Sequence, residues 1–328
     1  MRAWQVTALG EPRDVLVTAD VAPPVPGPDE LRVRVLAAAV ALPDVMMCRG
    51  TYAFAPMLPF TPGQEVTGEV TEAPAGAPFS VGDRVMAVTR FDAGAGGFAD
   101  EALVRIASAY RVPDGLSDAD AASFYIAYAT AWYGLVDRGR VAAGEWLAVL
   151  GAAGGTGAAA VQVGRALGAH VVAVVGDEPG DDRKARWCRS LGAEHVIDHR
   201  AASVPEALRA LRPEGVDAIY DPVGGAPAID ALGGLTTGGR LLAIGFASGP
   251  GEQPSSRHVL RRNASIVGVF VGAYDRATNE GTVARLGELA AAGAIGGLVT
   301  DTFRFDRVPD ALERVARREV TGRVVVVP

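Results

Sequence analysis

Two cysteines and four histidines are all the thiol and imidazole side chains that 328 residues contain. Cys48 and Cys188 match no metal or redox spacing, which excludes a disulfide framework and leaves reduced structural thiols as the expected state. The histidines, His170, His195, His199 and His258, are not arranged as a metal set, so each reads as a surface or strand-end residue. No apolar run is long enough to span a bilayer, and the amino terminus enters a strand-like pattern without an apolar leader, so no membrane partner and a cytoplasmic location are expected. Positive charge is in deficit: 31 Lys and Arg against 38 Asp and Glu leave a net charge of −7. That balance offers no global attraction for nucleic acid.

What is present suits a folded enzyme. Apolar residues make up 49% and charged residues 21%, with both signs scattered. The length favours two domains with a cleft between them. Up to about residue 120, short strand-like runs such as 31–37 and 65–70 alternate with Pro and Gly turns, as in β-rich barrels. Beyond it, Ala-rich helical stretches alternate with five-residue apolar runs, the sign of βαβ units around a doubly wound parallel sheet. Strands are expected there at 146–150, 171–175, 195–197, 218–220, 240–244 and 265–270. A helix at 278–292, a strand at 302–305, a short helix and a strand at 324–327 form a tail expected to rejoin the first domain. No repeat or flexible linker interrupts the chain, so the domains are expected to pack rather than to be tethered.

The strongest motif is Trp146-Leu-Ala-Val-Leu-Gly151-Ala-Ala-Gly154-Gly155-Thr156-Gly157, followed by an Ala-rich helix. An apolar strand enters, glycines turn and a helix leaves. Small residues there let the backbone approach a diphosphate, whose charge the free N–H groups and the helix dipole stabilise. A tight turn with close helix packing would look the same, but placement inside βαβ favours dinucleotide binding. The second strand ends at Gly176-Asp177-Glu178, with Arg183-Lys184 and His199-Arg200 following. An acid at this place hydrogen-bonds the ribose 2′-hydroxyl of NAD, whereas Arg and Lys pair with the 2′-phosphate of NADP. The basic cluster favours NADPH and leaves NADH open; Asp177 also begins an acidic stretch that reads equally as a solvated loop.

Together, Asp44 through Gly50-Thr-Tyr52, Leu58-Pro-Phe-Thr-Pro-Gly63-Gln-Glu65-Val-Thr-Gly68, Val81-Gly-Asp-Arg-Val85, Gly96-Gly-Phe-Ala99, Tyr128-Ala-Thr130-Ala-Trp132, the glycine turn, Asp221-Pro-Val-Gly-Gly225, Gly245-Phe-Ala-Ser-Gly249 and Thr321-Gly-Arg-Val324 span nearly the whole chain. With these segments the chain resembles a zinc-independent quinone oxidoreductase of the medium-chain dehydrogenase/reductase superfamily. The resemblance implies an α/β protein: a GroES-like catalytic domain at 1–121, completed by 273–328, and an inserted Rossmann domain at 122–272. Cofactor and substrate would meet in the cleft between them. Zinc-dependent relatives carry His where Gln64 stands, and a four-cysteine lobe that two cysteines cannot supply, so no metal site is expected.

Without a Lewis acid, the expected reaction is hydride transfer to a conjugated carbonyl acceptor, over which the delivered charge spreads. The resemblance implies Gly154, Gly155, Thr156 and Gly157 on the diphosphate, and Gly176, Lys184 and His199 at the adenosine ribose phosphate, where the strand-end reading also puts Asp177. It also puts Val223 on the cofactor, Phe246, Ala247, Phe270, Val271 and Gly272 around the nicotinamide half, Thr130 near nicotinamide or phosphate, and Arg323 where relatives carry Lys. His199 replaces a family Tyr, and Ala41 replaces an Asn near the acceptor. Tyr52 is the candidate proton donor, with a structural aromatic as the other reading. Asp44 is either a proton relay or an acid that hydrogen-bonds local backbone. Gly82-Asp83-Arg84 reads as a turn, and Trp132 and Tyr133 as packing residues. A homodimer is expected through the edge strand 265–270. The leading expectation is an NADPH-dependent quinone reductase, with an enoyl thioester reductase and a non-catalytic NADPH-binding sensor as rivals.

Overall fold

Runs of β-branched residues bounded by Pro and Gly favour strands, and Ala-rich stretches favour helices. The computed structural model describes residues 1–249 and 251–328 and follows that division. In chain order come β1 (Arg2–Val6), α1 (Pro12–Val15), β2 (Leu16–Asp20), β3 (Glu30–Val40), α2 (Leu42–Cys48), β4 (Glu65–Glu72), β5 (Arg84–Thr89), β6 (Glu101–Arg111) and α3 (Asp118–Ala122). Next are α4 (Tyr125–Trp132), β7 (Trp146–Leu150), α5 (Gly155–Ala166), β8 (His170–Val175), α6 (Arg183–Ser190), β9 (His195–Asp198), α7 (Val204–Leu211) and β10 (Val216–Asp221). The chain closes with α8 (Gly225–Ala231), β11 (Leu235–Ala243), α9 (Ser256–Val259), β12 (Ser265–Gly268), α10 (Arg276–Ala291), β13 (Val299–Arg304), α11 (Val308–Ala316) and β14 (Arg323–Val327).

Two units result. The first is Met1–Ile126 with Asp275–Ala291 and Gly296–Pro328; the second is Ala127–Tyr274 with Ala292–Ile295. In the first, six strands run in the order β13-β14-β3-β4-β5-β6, and β6 also pairs with β3, which closes β3 to β6 into a small barrel. Along β3, Leu31, Val33 and Val35 are buried while Arg32 and Arg34 lie outside the core, the two-residue alternation of a half-buried strand. On α11, Val308, Ala311, Leu312 and Val315 fall at i, i+3, i+4 and i+7 and are all buried in the same core. This tail completes the barrel unit.

The second unit is a parallel six-stranded sheet in the order β12-β11-β10-β7-β8-β9. Leu147 to Leu150 of β7 are all buried, as a central strand covered on both faces requires. Strand order reverses at β7, whose two neighbours are β8 and β10. Ligands of doubly wound sheets bind at the carboxyl ends of the strands flanking such a reversal. β11 begins at Leu235, earlier than expected, because Gly238 with φ +79° lets the strand pass an irregularity in its register with β10.

Candidate functional site

The glycine turn sits at the point of reversal. Gly151 has φ +57°, a conformation that favours glycine, and Gly154 donates to its carbonyl at 3.0 Å. Ala152 N–H donates to Val174 O at 3.1 Å, which ties the turn to β8. A β-carbon at Gly157 would stand 2.4 Å from Gly151 O and 2.8 Å from Ala152 Cα, so glycine is needed there for helix packing. At Gly154 the nearest atom would be 3.5 Å away. One glycine brings the helix close; the other leaves the backbone approachable from outside. Gly154 is also the N-cap of α5 and provides no side chain to cap it. The first-turn amides of Gly155, Thr156 and Gly157 and the positive end of the dipole therefore favour an external anion.

A second set of residues meets at the end of β8. A β-carbon on Gly176 would lie 2.5 Å from His199 Nε2, so the imidazole rests on the glycine backbone. Lys184, the only lysine in the chain, donates from Nζ to Gly176 O at 2.8 Å. Asp177 is buried, and its carboxylate accepts N–H from Lys184 at 3.0 Å and from Ala185 at 3.1 Å. It thus caps α6 from across the loop, a task that the N-cap residue Asp182 does not perform with its own side chain. Arg200, which stands beside His199, pairs with Glu178 and donates to Asp177 O at 3.3 Å.

The other strands of this sheet present their expected residues on the same edge. After β10, the buried Asp221 accepts N–H from Val223 at 2.9 Å and Gly224 at 2.8 Å, holding Val223 beside the glycine turn; burial pushes its carboxyl pKa up. After β11 comes Phe246, 60% exposed, with Ala247 donating to Pro222 O at 3.2 Å; after β12 comes Phe270, 59% exposed, leading into the turn Val271–Ala273 that contains Gly272. Two aromatic rings this exposed on one edge suit contact with a ligand or another protein surface. Thr130 lies on α4 and is buried. Tyr133 is also buried, its ring stacked on Tyr274 at 3.7 Å, in keeping with a packing role.

Asp44, Tyr52, Gln64, Glu65 and Arg323 all lie in the first unit. Asp44 is fully buried and accepts N–H from Ala41 at 2.8 Å and Gly63 at 3.0 Å, which caps α2. Burial pushes its pKa up to about 7, although the backbone donors pull the other way. Glu65, also lifted to about 7 by burial, pairs with Arg323 Nη2 at 3.1 Å and accepts Ile126 N–H at 2.8 Å. Arg323, expected on the cofactor, is held in that buried ion pair, and its Nε has no hydrogen-bond partner among the described residues. Tyr52 is half-buried between Phe54 at 5.8 Å and Phe91 at 6.3 Å; burial raises its phenol pKa, with the Gln64 amide acting against it. The hydroxyl therefore stays protonated and able to donate.

The residues do not fit a zinc ion. Gln64 presents an amide rather than an imidazole, and the two cysteines, Cys48 and Cys188, are buried in different units of the fold. Among the described residues, no three His, Cys, Asp or Glu side chains gather to hold a metal ion. Among the same residues, no helix is long and apolar enough to cross a membrane. Sequence reading missed the Glu65–Arg323 pair, because residues 258 positions apart give no local signal. Arg200, a member of the basic cluster in the sequence, stands beside His199 on the same loop.

Residues 27–114 match the family described as alcohol dehydrogenase GroES-like domain, and residues 155–288 match the one described as zinc-binding dehydrogenase. The Rattus norvegicus protein named quinone oxidoreductase-like protein 2 is 32% identical over 333 residues, covering 99% of this chain and 92% of its own. A structure described as a probable oxidoreductase from Mycobacterium abscessus is 35% identical, with a TM-score of 0.87 over 100% of this chain and 99% of that one. A mycobacterial protein solved in complex with NADPH is 28% identical, with a TM-score of 0.90 over 100% of both chains.

Proposed function

The chain belongs to the medium-chain dehydrogenase/reductase superfamily, in its quinone oxidoreductase group, and from that premise we propose that it transfers hydride from NADPH to a quinone or another α,β-unsaturated carbonyl compound without zinc. The observation that carries this reading is the convergence, on one edge of the parallel sheet, of the side-chain-free α5 terminus and the basic set around Gly176. The first suits a diphosphate and the second a further phosphate on the adenosine ribose.

The choice of NADPH over NADH is supported by the state of Asp177. Selection of NAD requires an acid free to accept from the ribose 2′-hydroxyl. Both Asp177 oxygens instead accept helix N–H groups, while Lys184, His199 and Arg200 stand around it. Gly154 to Gly157 would hold the diphosphate, Gly176, Lys184 and His199 the ribose phosphate, and Val223, Phe246, Ala247, Phe270, Val271 and Gly272 the remainder. When bound, the dinucleotide supplies a hydride. Tyr52, protonated and flanked by aromatic rings, is the donor we assign to the acceptor oxygen, with water completing the proton balance. The amide at Gln64 argues against a metal taking that place. The name of the rat relative and the NADPH bound by the mycobacterial one support the same reading. We further propose that β12, which among the described residues pairs only with β11 and carries the exposed Ile266, joins a second copy edge to edge.

Steady-state assays over quinones, enones and enoyl thioesters test the acceptor. Turnover of quinones or simple enones is expected. Turnover confined to enoyl thioesters would replace this reading with a thioester reductase, and tight NADPH binding with no turnover at all would replace it with a sensor.

A further inference from the structure

On the reading that the α5 turn holds a dinucleotide, we propose that Arg200 is a third cationic ligand of the ribose 2′-phosphate and that Glu178 is its built-in competitor. Three side chains from two elements address the same two backbone residues. Lys184 Nζ bonds Gly176 O at 2.8 Å, the His199 ring lies against Gly176, and Arg200 Nη1 bonds Asp177 O at 3.3 Å. The Arg200 backbone is fixed in turn, because its N–H donates to Asp198 Oδ1 at 3.0 Å. The guanidinium is thus carried to the place where a 2′-phosphate would sit beside Lys184. In the absence of nucleotide its charge is answered by the Glu178 carboxylate.

A carboxylate and a phosphate offer a guanidinium the same planar pair of acceptor oxygens, so one can replace the other. The phosphate carries the larger charge, about −1.5 to −2 at neutral pH. Glu178 is 73% exposed on its side chain and returns to water when displaced. NADH carries no 2′-phosphate and leaves the Arg200–Glu178 pair intact. The acidic loop therefore holds Arg200 ready while lowering the apparent affinity for the phosphorylated nucleotide.

The test is titration of the full chain with NADPH, NADH, 2′,5′-ADP and 5′-AMP, comparing the unsubstituted protein with Glu178→Gln and Arg200→Gln. Both side chains are substantially exposed, so thermal melts should match. Glu178→Gln is expected to tighten NADPH and 2′,5′-ADP about threefold, since an exposed pair is weak, and to leave NADH and 5′-AMP unchanged. Arg200→Gln should weaken the two 2′-phosphorylated ligands about tenfold with no change for the other two. Because Lys184 is the only lysine, acylation of its amine gives a second readout, slowed by 2′,5′-ADP and not by 5′-AMP. Unchanged 2′,5′-ADP affinity in Arg200→Gln would overturn the ligand assignment, and unchanged or weaker affinity in Glu178→Gln would overturn the competition. Failure of the unsubstituted protein to bind any of the four would overturn the dinucleotide reading itself.

Discussion

Gly154 and Gly157 divide the two demands made on one turn, and substituting each by alanine separates them. At Gly157 the new methyl would meet Gly151 O at 2.4 Å and Ala152 Cα at 2.8 Å. Both are backbone atoms that no rotamer change can move aside, so the first turn of α5 must shift off β7. Overpacking of this kind costs about 1–3 kcal/mol, against a gain of about 1 kcal/mol for alanine over glycine in a helix. With contacts this short the cost lies near the upper end, leaving a net loss of about 2 kcal/mol and a melting temperature lower by about 4–8 °C in a domain of this size. At Gly154, φ is −79° and the nearest atom to a methyl would be 3.5 Å away, so Gly154→Ala should melt with the unsubstituted protein. Its methyl occupies the open side of the turn, where the diphosphate must approach. NADPH affinity should fall about tenfold or more, equivalent to about 1.4 kcal/mol. Scanning calorimetry and fluorescence titration read the two effects. A Gly154→Ala protein that binds NADPH as tightly as the parent would refute the placement of the diphosphate, and an unmoved melting temperature in Gly157→Ala would refute the packing argument.

Asp44 gives a pH dependence whose sign is fixed by burial. Its carboxyl is lifted from an ordinary 3.8 to about 7, so between those values the folded protein holds a proton that the unfolded chain releases, and stability falls as pH rises through that window. Denaturation midpoints should therefore drop between about pH 5 and about pH 7, and Asp44→Asn should flatten the drop; parallel slopes would exclude Asp44 as its source. Glu65→Gln leaves the Arg323 charge buried without its partner and should cost about 3–5 kcal/mol, whereas Glu65→Gln with Arg323→Met should cost less than the two single changes summed; additive costs in a double-mutant cycle would show that the pair is not coupled. Tyr52→Phe should lower kcat about tenfold or less, a water taking over the hydroxyl's role; complete loss of turnover in a folded variant would show the phenol to be indispensable.

Periodicity made the fold legible. A five-residue apolar run before Gly151 and an Ala-rich stretch after it permit little besides a buried parallel strand and a packed helix, and both lie where expected. Strand ends were less legible where glycine decides them, as at Gly238 inside β11 and Gly268 at the end of β12. The places of Gly176 after β8 and Val223 just past β10 were legible, because apolar runs mark where those strands end. Residues defined by long-range pairing could not: nothing near Arg323 in sequence announces Glu65. Asp177 shows a further limit, since its residue type suggests a ribose ligand while its geometry makes it a helix cap.

The central claim is that the amides opening α5 receive a dinucleotide, and calorimetric titration of the unsubstituted chain with NADPH and NADH tests it most directly. Saturable heat with NADPH at one site per chain, and weaker binding of NADH, is the predicted result. No heat with either nucleotide would contradict the account.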